Sequence, residues 1–140
     1  MIEQRAEGLG IAFTRGRTMT SNSHLALEAA EFVAERAPEL AGVFHRATFK
    51  AYFEDLADIG KVDTILGVGE RVGVDAAGLR EALERRSYRR QVDDGIRWSQ
   101  EIGVTAVPTF VFDERYGFAG AQEYAVFQAV MEKLGATPRV

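Results

Sequence analysis

The sequence predicts a mostly helical α/β fold, in which a helical domain is followed by a β-hairpin and one closing helix. Three observations predict it. Apolar residues recur at helical spacing in five successive segments between residues 23 and 102. The grammar then changes at "PTFVFD" to short β-branched and aromatic runs, and "EYAVFQAVMEKLG" returns to helical spacing. At 140 residues the chain suits one domain with a core of its own. The reading divides it into an extended N-terminal segment over 1–20, a helical part over 21–103 and a ββα part over 104–140.

Each element has a local reason. Residues 1–20 are glycine-punctuated and basic, with a brief apolar "LGIAF" that reads as a short strand or a packed tail. Ser21, Asn22 and Ser23 supply N-cap candidates for a helix over about 23–37, whose Leu25, Ala29, Phe32 and Val33 share a face until Pro38. Pro38 suits the first turn of the next helix, because a proline there loses no helical hydrogen bond. In that helix Phe44, Phe49, Tyr52 and Phe53 cannot share one face, so it is expected to be buried on more than one side. "KVDTILGVGERVG" and "DAAGLREALER" read as two short amphipathic helices, the second capped by Asp75. A fifth helix runs from about Ser87 to Ile102, with Val92, Ile96 and Ser99 on one stripe and Gly103 at its end. "PTFVFD" and "RYGFAG" then pair as a hairpin around a turn at Asp113 and Glu114. The last helix aligns Tyr124, Phe127, Met131 and Leu134 before Gly135.

Composition narrows the chemistry. A net charge of −4 argues against a polyanion such as nucleic acid as partner. No apolar run approaches the roughly 20 residues that cross a bilayer, so no membrane span is expected. "MIEQRAEGLG" lacks a basic segment followed by an apolar one, so it does not read as a secretory signal and the cytoplasm is the expected compartment. There is no cysteine, which removes disulfides, thiolate catalysis and cysteine-ligated zinc from the repertoire of these residues.

The remaining candidates have plainer explanations. His24 falls in the first turn of a helix and His45 among aromatics, where a satisfied structural histidine is the common case. The basic run "ERRSYRR" over 84–90 could hold a phosphate or an acidic partner, but it reads better as a solvated helix junction with Glu81 and Glu84 as compensation. "FEDLADIGKVD" lacks the ligand spacing and turn glycine of a calcium loop. "GVGERVG" is not preceded by a strand and does not match G-x-G-x-x-G. No metal and no cofactor are expected.

"GVTAVPTFVFD" followed by "RYGFAGAQ" and a closing helix resembles the C-terminal ββα half of the DsbA family of thioredoxin-fold proteins, especially its FrnE-like members. "TSNSHLALEAAEF", "FHRATFKAYFEDLADIG" and "GVGERVGVDAAGLREALE" are similar to the helical domain that this family inserts into the thioredoxin fold. The resemblance covers about residues 8–134. It implies a thiol-disulfide oxidoreductase fold, but a strand, a Cys-x-x-Cys helix and a second strand precede the helical insertion in that family, and this sequence reads as beginning after them. The expected architecture is thus an incomplete thioredoxin-like fold without the nucleophile.

The resemblance also implies that Pro108 follows a cis bond and that the backbone of Val107 pairs with an extended substrate. Without it, a trans proline that starts a strand is the natural reading. The resemblance places Asn22 at the active-site cleft, whereas its own context reads as a helix cap. In a complete fold the strand after Pro108 lies beside the first strand, so Thr109, Phe110, Val111 and Phe112 are expected to form an open edge. The expected partner is a second copy joined at 109–112; "LGIAF" is the alternative occupant. Function is expected to be that of a non-catalytic module for an extended peptide or partner. The alternatives are one component of an oxidoreductase whose Cys-x-x-Cys segment comes from another chain, and a glutathione-holding isomerase, for which the catalytic region is lacking.

Overall fold

The structure is a computed structural model that describes residues 6, 8–114 and 116–136. The described chain forms two compact units, Met1–Gly95 and Ile96–Val140. The division falls within a helix, at Gly95.

The first unit is helical. Helix α1 spans His24–Arg36 and buries Ala26, Glu28, Ala29, Phe32 and Val33. Its start is set by Asn22, whose Oδ1 accepts the His24 N–H at 2.9 Å. Pro38 opens a single 3-10 turn, Pro38–Leu40, before α2 begins at Ala41 and runs to Phe53. The hub helix is covered less than expected. Phe44 and Ala51 are its buried residues, Tyr52 and Phe53 are half-buried, and Phe49 is 60% exposed. The N-terminal segment covers part of its aromatic side: the Phe13 ring lies 4.7 Å from that of Phe53, and Arg17 sits 3.6 Å above the Tyr52 ring. The Thr14 N–H donates to the Phe53 carbonyl at 3.0 Å, which fixes this tail without making it a strand. "LGIAF" is therefore a turn and an irregular tail, and Ala6 and Gly8 are helical where an extended chain was expected.

Helix α3, Val62–Val72, and helix α4, Ala76–Glu84, close the core. Asp75 caps α4 by accepting the Ala77 N–H at 3.1 Å. Ile65, Leu66, Val68, Leu79 and Leu83 interlock with Phe32, Val33 and Phe44 in one cluster. Two of the glycines of "GVGERVG" have structural reasons. A Cβ on Gly69 would stand 3.0 Å from the Leu79 side chain, and Gly73 takes the left-handed conformation that stops α3. Helix α5 spans Arg89–Glu101, and Val92 is its buried residue. The neighbouring Tyr88 stands edge-on to Phe32 at 6.0 Å.

The second unit contains strand β1, Thr109–Phe112, strand β2, Tyr116–Ala119, and helix α6, Tyr124–Lys133. The strands pair antiparallel in the register Thr109 to Ala119 and Phe112 to Tyr116. Asp113 and Glu114 both have positive φ, at 51° and 50°, which turns the chain tightly. Arg115 of "RYGFAG" lies outside the described residues. Phe127 of α6 packs edge-on against Phe110 and Phe118 at 4.8 and 5.0 Å. The rest of its expected stripe is less covered, with Tyr124 75% and Met131 41% exposed.

Candidate functional site

Val107, Pro108 and residues 109–112 form one continuous ridge on the second unit. The Val107–Pro108 bond is cis. The Pro108 carbonyl accepts the Gly120 N–H at 2.7 Å and the Thr109 hydroxyl donates to the Ala106 carbonyl at 2.6 Å, so the N-terminal end of the ridge is anchored. Val107 is 90% exposed. β1 has one hydrogen-bonded neighbour, β2, in a two-stranded sheet among the described residues. Phe110 and Phe112 face α6 and are half-buried, whereas Val111 is exposed on the other side of the sheet. No described residue from 96 to 136 is fully buried. A polypeptide ridge of this kind can offer backbone hydrogen bonds and apolar surface, and residues 107–112 include no carboxylate, imidazole, amine or thiol.

Asn22 belongs to the first unit, where it is exposed and holds the start of α1. The N-cap itself is Ser23, which makes no side-chain cap hydrogen bond, and Asn22 precedes it. His45 is exposed and lines an apolar recess of about 360 Å³ with Leu27, Phe44, Phe49, Tyr52 and Phe53; no Asp, Glu, Lys or Arg lines it.

The charge cluster that the sequence did not single out lies around His24. Its Nδ1 is 2.7 Å from Glu28 Oε1 and its Nε2 is 2.9 Å from Asp93 Oδ1. The Glu28 side chain is 1% exposed, and Arg86 donates to both its oxygens, with Nε at 2.9 and 3.1 Å. Burial of a carboxylate requires such compensation. The hydrogen bond to Asp93, reinforced by Glu28, holds the His24 imidazole above its ordinary pKa of 6.5 against the opposing effect of burial. His24 in turn holds Asp93 below the usual carboxylate range, and the Glu28 carboxylate raises Arg86. The only sequence signal was the four-residue spacing of His24 and Glu28 on one helix face. Arg86 was hidden within the basic run, where Glu81 pairs with Arg85 at 2.8 Å and Glu84 with Arg80 at 3.7 Å. Among the described residues no group of three or more His, Cys, Asp or Glu is placed to hold a metal ion.

A family model for the DSBA-like thioredoxin domain matches residues 1–132. The chain belongs to the DsbA-like thioredoxin-domain family. It is 32% identical to the uncharacterized protein YwbO of Bacillus subtilis over 72 residues, which are 51% of this chain and 36% of that protein. The structure of a probable DsbA oxidoreductase from Streptomyces coelicolor superposes with a TM-score of 0.84 at 23% identity, covering 99% of this chain and 60% of that one. At that identity the likeness speaks for the fold. This DsbA-like chain thus spans less than two thirds of the length of each of these two relatives. Its 140 residues contain no cysteine and so provide no thiolate for disulfide exchange. No described helix is long and apolar enough to cross a membrane.

Proposed function

We propose that this DsbA-like chain acts as a binding module that does not itself exchange electrons, and that it joins a second copy through the edge of β1, with an extended peptide as the related ligand. One observation carries the reading: among the described residues, Thr109–Phe112 is an apolar strand with a single neighbour, in a unit whose described residues include no fully buried side chain. Proteins usually protect such edges with charges, prolines or a covering element. Here neither 109–112 nor 116–119 contains a charged residue, so two copies of β1 can pair antiparallel without like-charge repulsion. Strand addition of a peptide would use the same backbone groups.

Sedimentation at low micromolar concentration should show a dimer, and Val111→Lys, which adds a charge beside the edge, should shift it to monomer. A folded parent that stays monomeric across the accessible concentration range would overturn the dimer. The purified chain should reduce insulin no faster than background.

A second reading, in which another chain contributes the Cys-x-x-Cys segment, is supported by the family and by the 90% exposure of Val107 beside the ridge. It predicts insulin turnover when a cysteine-bearing partner segment is added, and none from either component alone.

A further inference from the structure

The arrangement around His24 is unusual in that each ring nitrogen faces a carboxylate oxygen, one on its own helix and one on another. Glu28 lies one turn along α1; Asp93 lies in the first half of α5, 69 positions away in sequence. A neutral imidazole has one N–H, so it can satisfy only one of two carboxylates. At 2.7 and 2.9 Å both contacts need a proton between the heavy atoms. Arg86 Nη2 also approaches Nδ1 at 3.3 Å, a longer contact than that of Glu28. Arg86 Nε already donates to both Glu28 oxygens, and the ring is the group whose two nitrogens can donate to both carboxylates at once.

We propose that His24 is a pH-dependent clasp between α1 and the segment 86–95, closed when the ring is doubly protonated and open when it is neutral. Arg86 Nη2 could reach Nδ1 only as a donor to its lone pair, and the shorter contact of Nδ1 with Glu28, 2.7 Å against 3.3 Å, selects which tie opens. Glu28 is buried away from water, so the single N–H of the neutral ring stays on Nδ1 to serve it. That leaves Nε2 as a lone pair facing Asp93. Asp93 is 41% exposed and has Arg89 Nε at 3.4 Å on its own helix, so it can turn to water and Arg89 at little cost. Among the described residues, the ties between α1 and this segment that do not pass through the ring include the Arg86–Glu28 pair, the Gln91 to Glu31 hydrogen bond at 2.9 Å, the hydrogen bond between Tyr88 and Arg36, and the packing of Tyr88 and Val92.

The sign follows from the direction of the shift. A ring whose folded pKa lies above 6.5 contributes its stabilisation fully below 6.5 and loses it as pH rises through the folded value. The depressed pKa of Asp93 sets the acid limit, because the tie is also lost as pH falls through that value.

The test uses the full chain. Nitrogen-detected NMR of the ring should show both nitrogens protonated below a midpoint that lies above 6.5, with His45→Gln separating the two histidines. Amide-exchange protection factors at residues 89–94 should fall severalfold as pH crosses that midpoint, while those at Ile65 and Leu79 stay constant. His24→Gln should remove the step, and Asp93→Asn should move the ring midpoint down toward 6.5. A His24 midpoint at or below 6.5, or protection at 89–94 that ignores pH or is unchanged in His24→Gln, would overturn the proposal.

Discussion

Gly67 and Gly69 stand two positions apart in α3, yet their surroundings differ. A Cβ on Gly67 meets nothing within 4 Å, whereas one on Gly69 would stand 3.0 Å from Leu79 Cδ2. Glycine in a helix interior costs about 0.8–1 kcal/mol relative to alanine, so Gly67→Ala should stabilise the chain by up to about that amount. Gly69→Ala gains the same propensity but presses on Leu79, which is 0% exposed within the core cluster. It should therefore destabilise, by roughly 1 kcal/mol net. Chemical denaturation of both variants checks this; equal signs would show that α3 and α4 are less tightly seated than the distance implies. Motif comparison could reject "GVGERVG" as a phosphate loop, but it could not assign the glycine to a helix contact, because that contact depends on a partner ten residues downstream. The site residues show the same limit. Asn22 was legible at the start of α1 because its hydrogen bond is local, while the partners of His24 span residues 28 to 93 and leave a trace only in the spacing to Glu28.

The helices from α1 onward and the hairpin were legible nearly to the residue, since caps, Pro38, Asp75, Gly103 and the change of period are local signals. How far each element is covered was not. Periodicity identifies an apolar face without saying what lies against it. Ile96 continues the stripe of Val92 in α5 yet is 41% exposed, and Phe49 and Tyr124 are similarly open. In the hairpin the consequence is that one ring carries much of the cohesion. Phe127 touches Phe110 and Phe118 edge-on and reaches Phe112 at 6.3 Å. Phe127→Ala in a full core would cost about 3–5 kcal/mol; here the ring is only half-buried, so about 1–3 kcal/mol is expected. The loss should be local. Amide protection at 109–112 and 116–119 should disappear while that of α1 and α3 persists, as exchange measurements on the variant would show.

At the scale of the molecule, apolar burial is unevenly shared. Every fully buried side chain among the described residues lies at or before Val92, and the second unit retains Trp98, Ile102, Val107, Val111 and Tyr124 as exposed apolar surface. A two-stranded sheet with one helix on it is marginal by itself, because too little surface leaves water to offset the entropy of ordering the chain. Association at β1 would supply what is missing, and it makes stability depend on concentration in a way no monomer reproduces. For a dimer that unfolds to two chains, each tenfold rise in protein concentration adds about 1.4 kcal/mol per dimer to the apparent stability. Calorimetric melts between low and high micromolar concentration should therefore show Tm climbing with concentration for the parent chain. Val111→Lys should melt at one lower temperature throughout, since a charge beside the edge opposes pairing without touching the helical core. A parent Tm independent of concentration would mean that the second unit holds its fold without a mate at β1, and the strand edge would then be free for a peptide ligand alone.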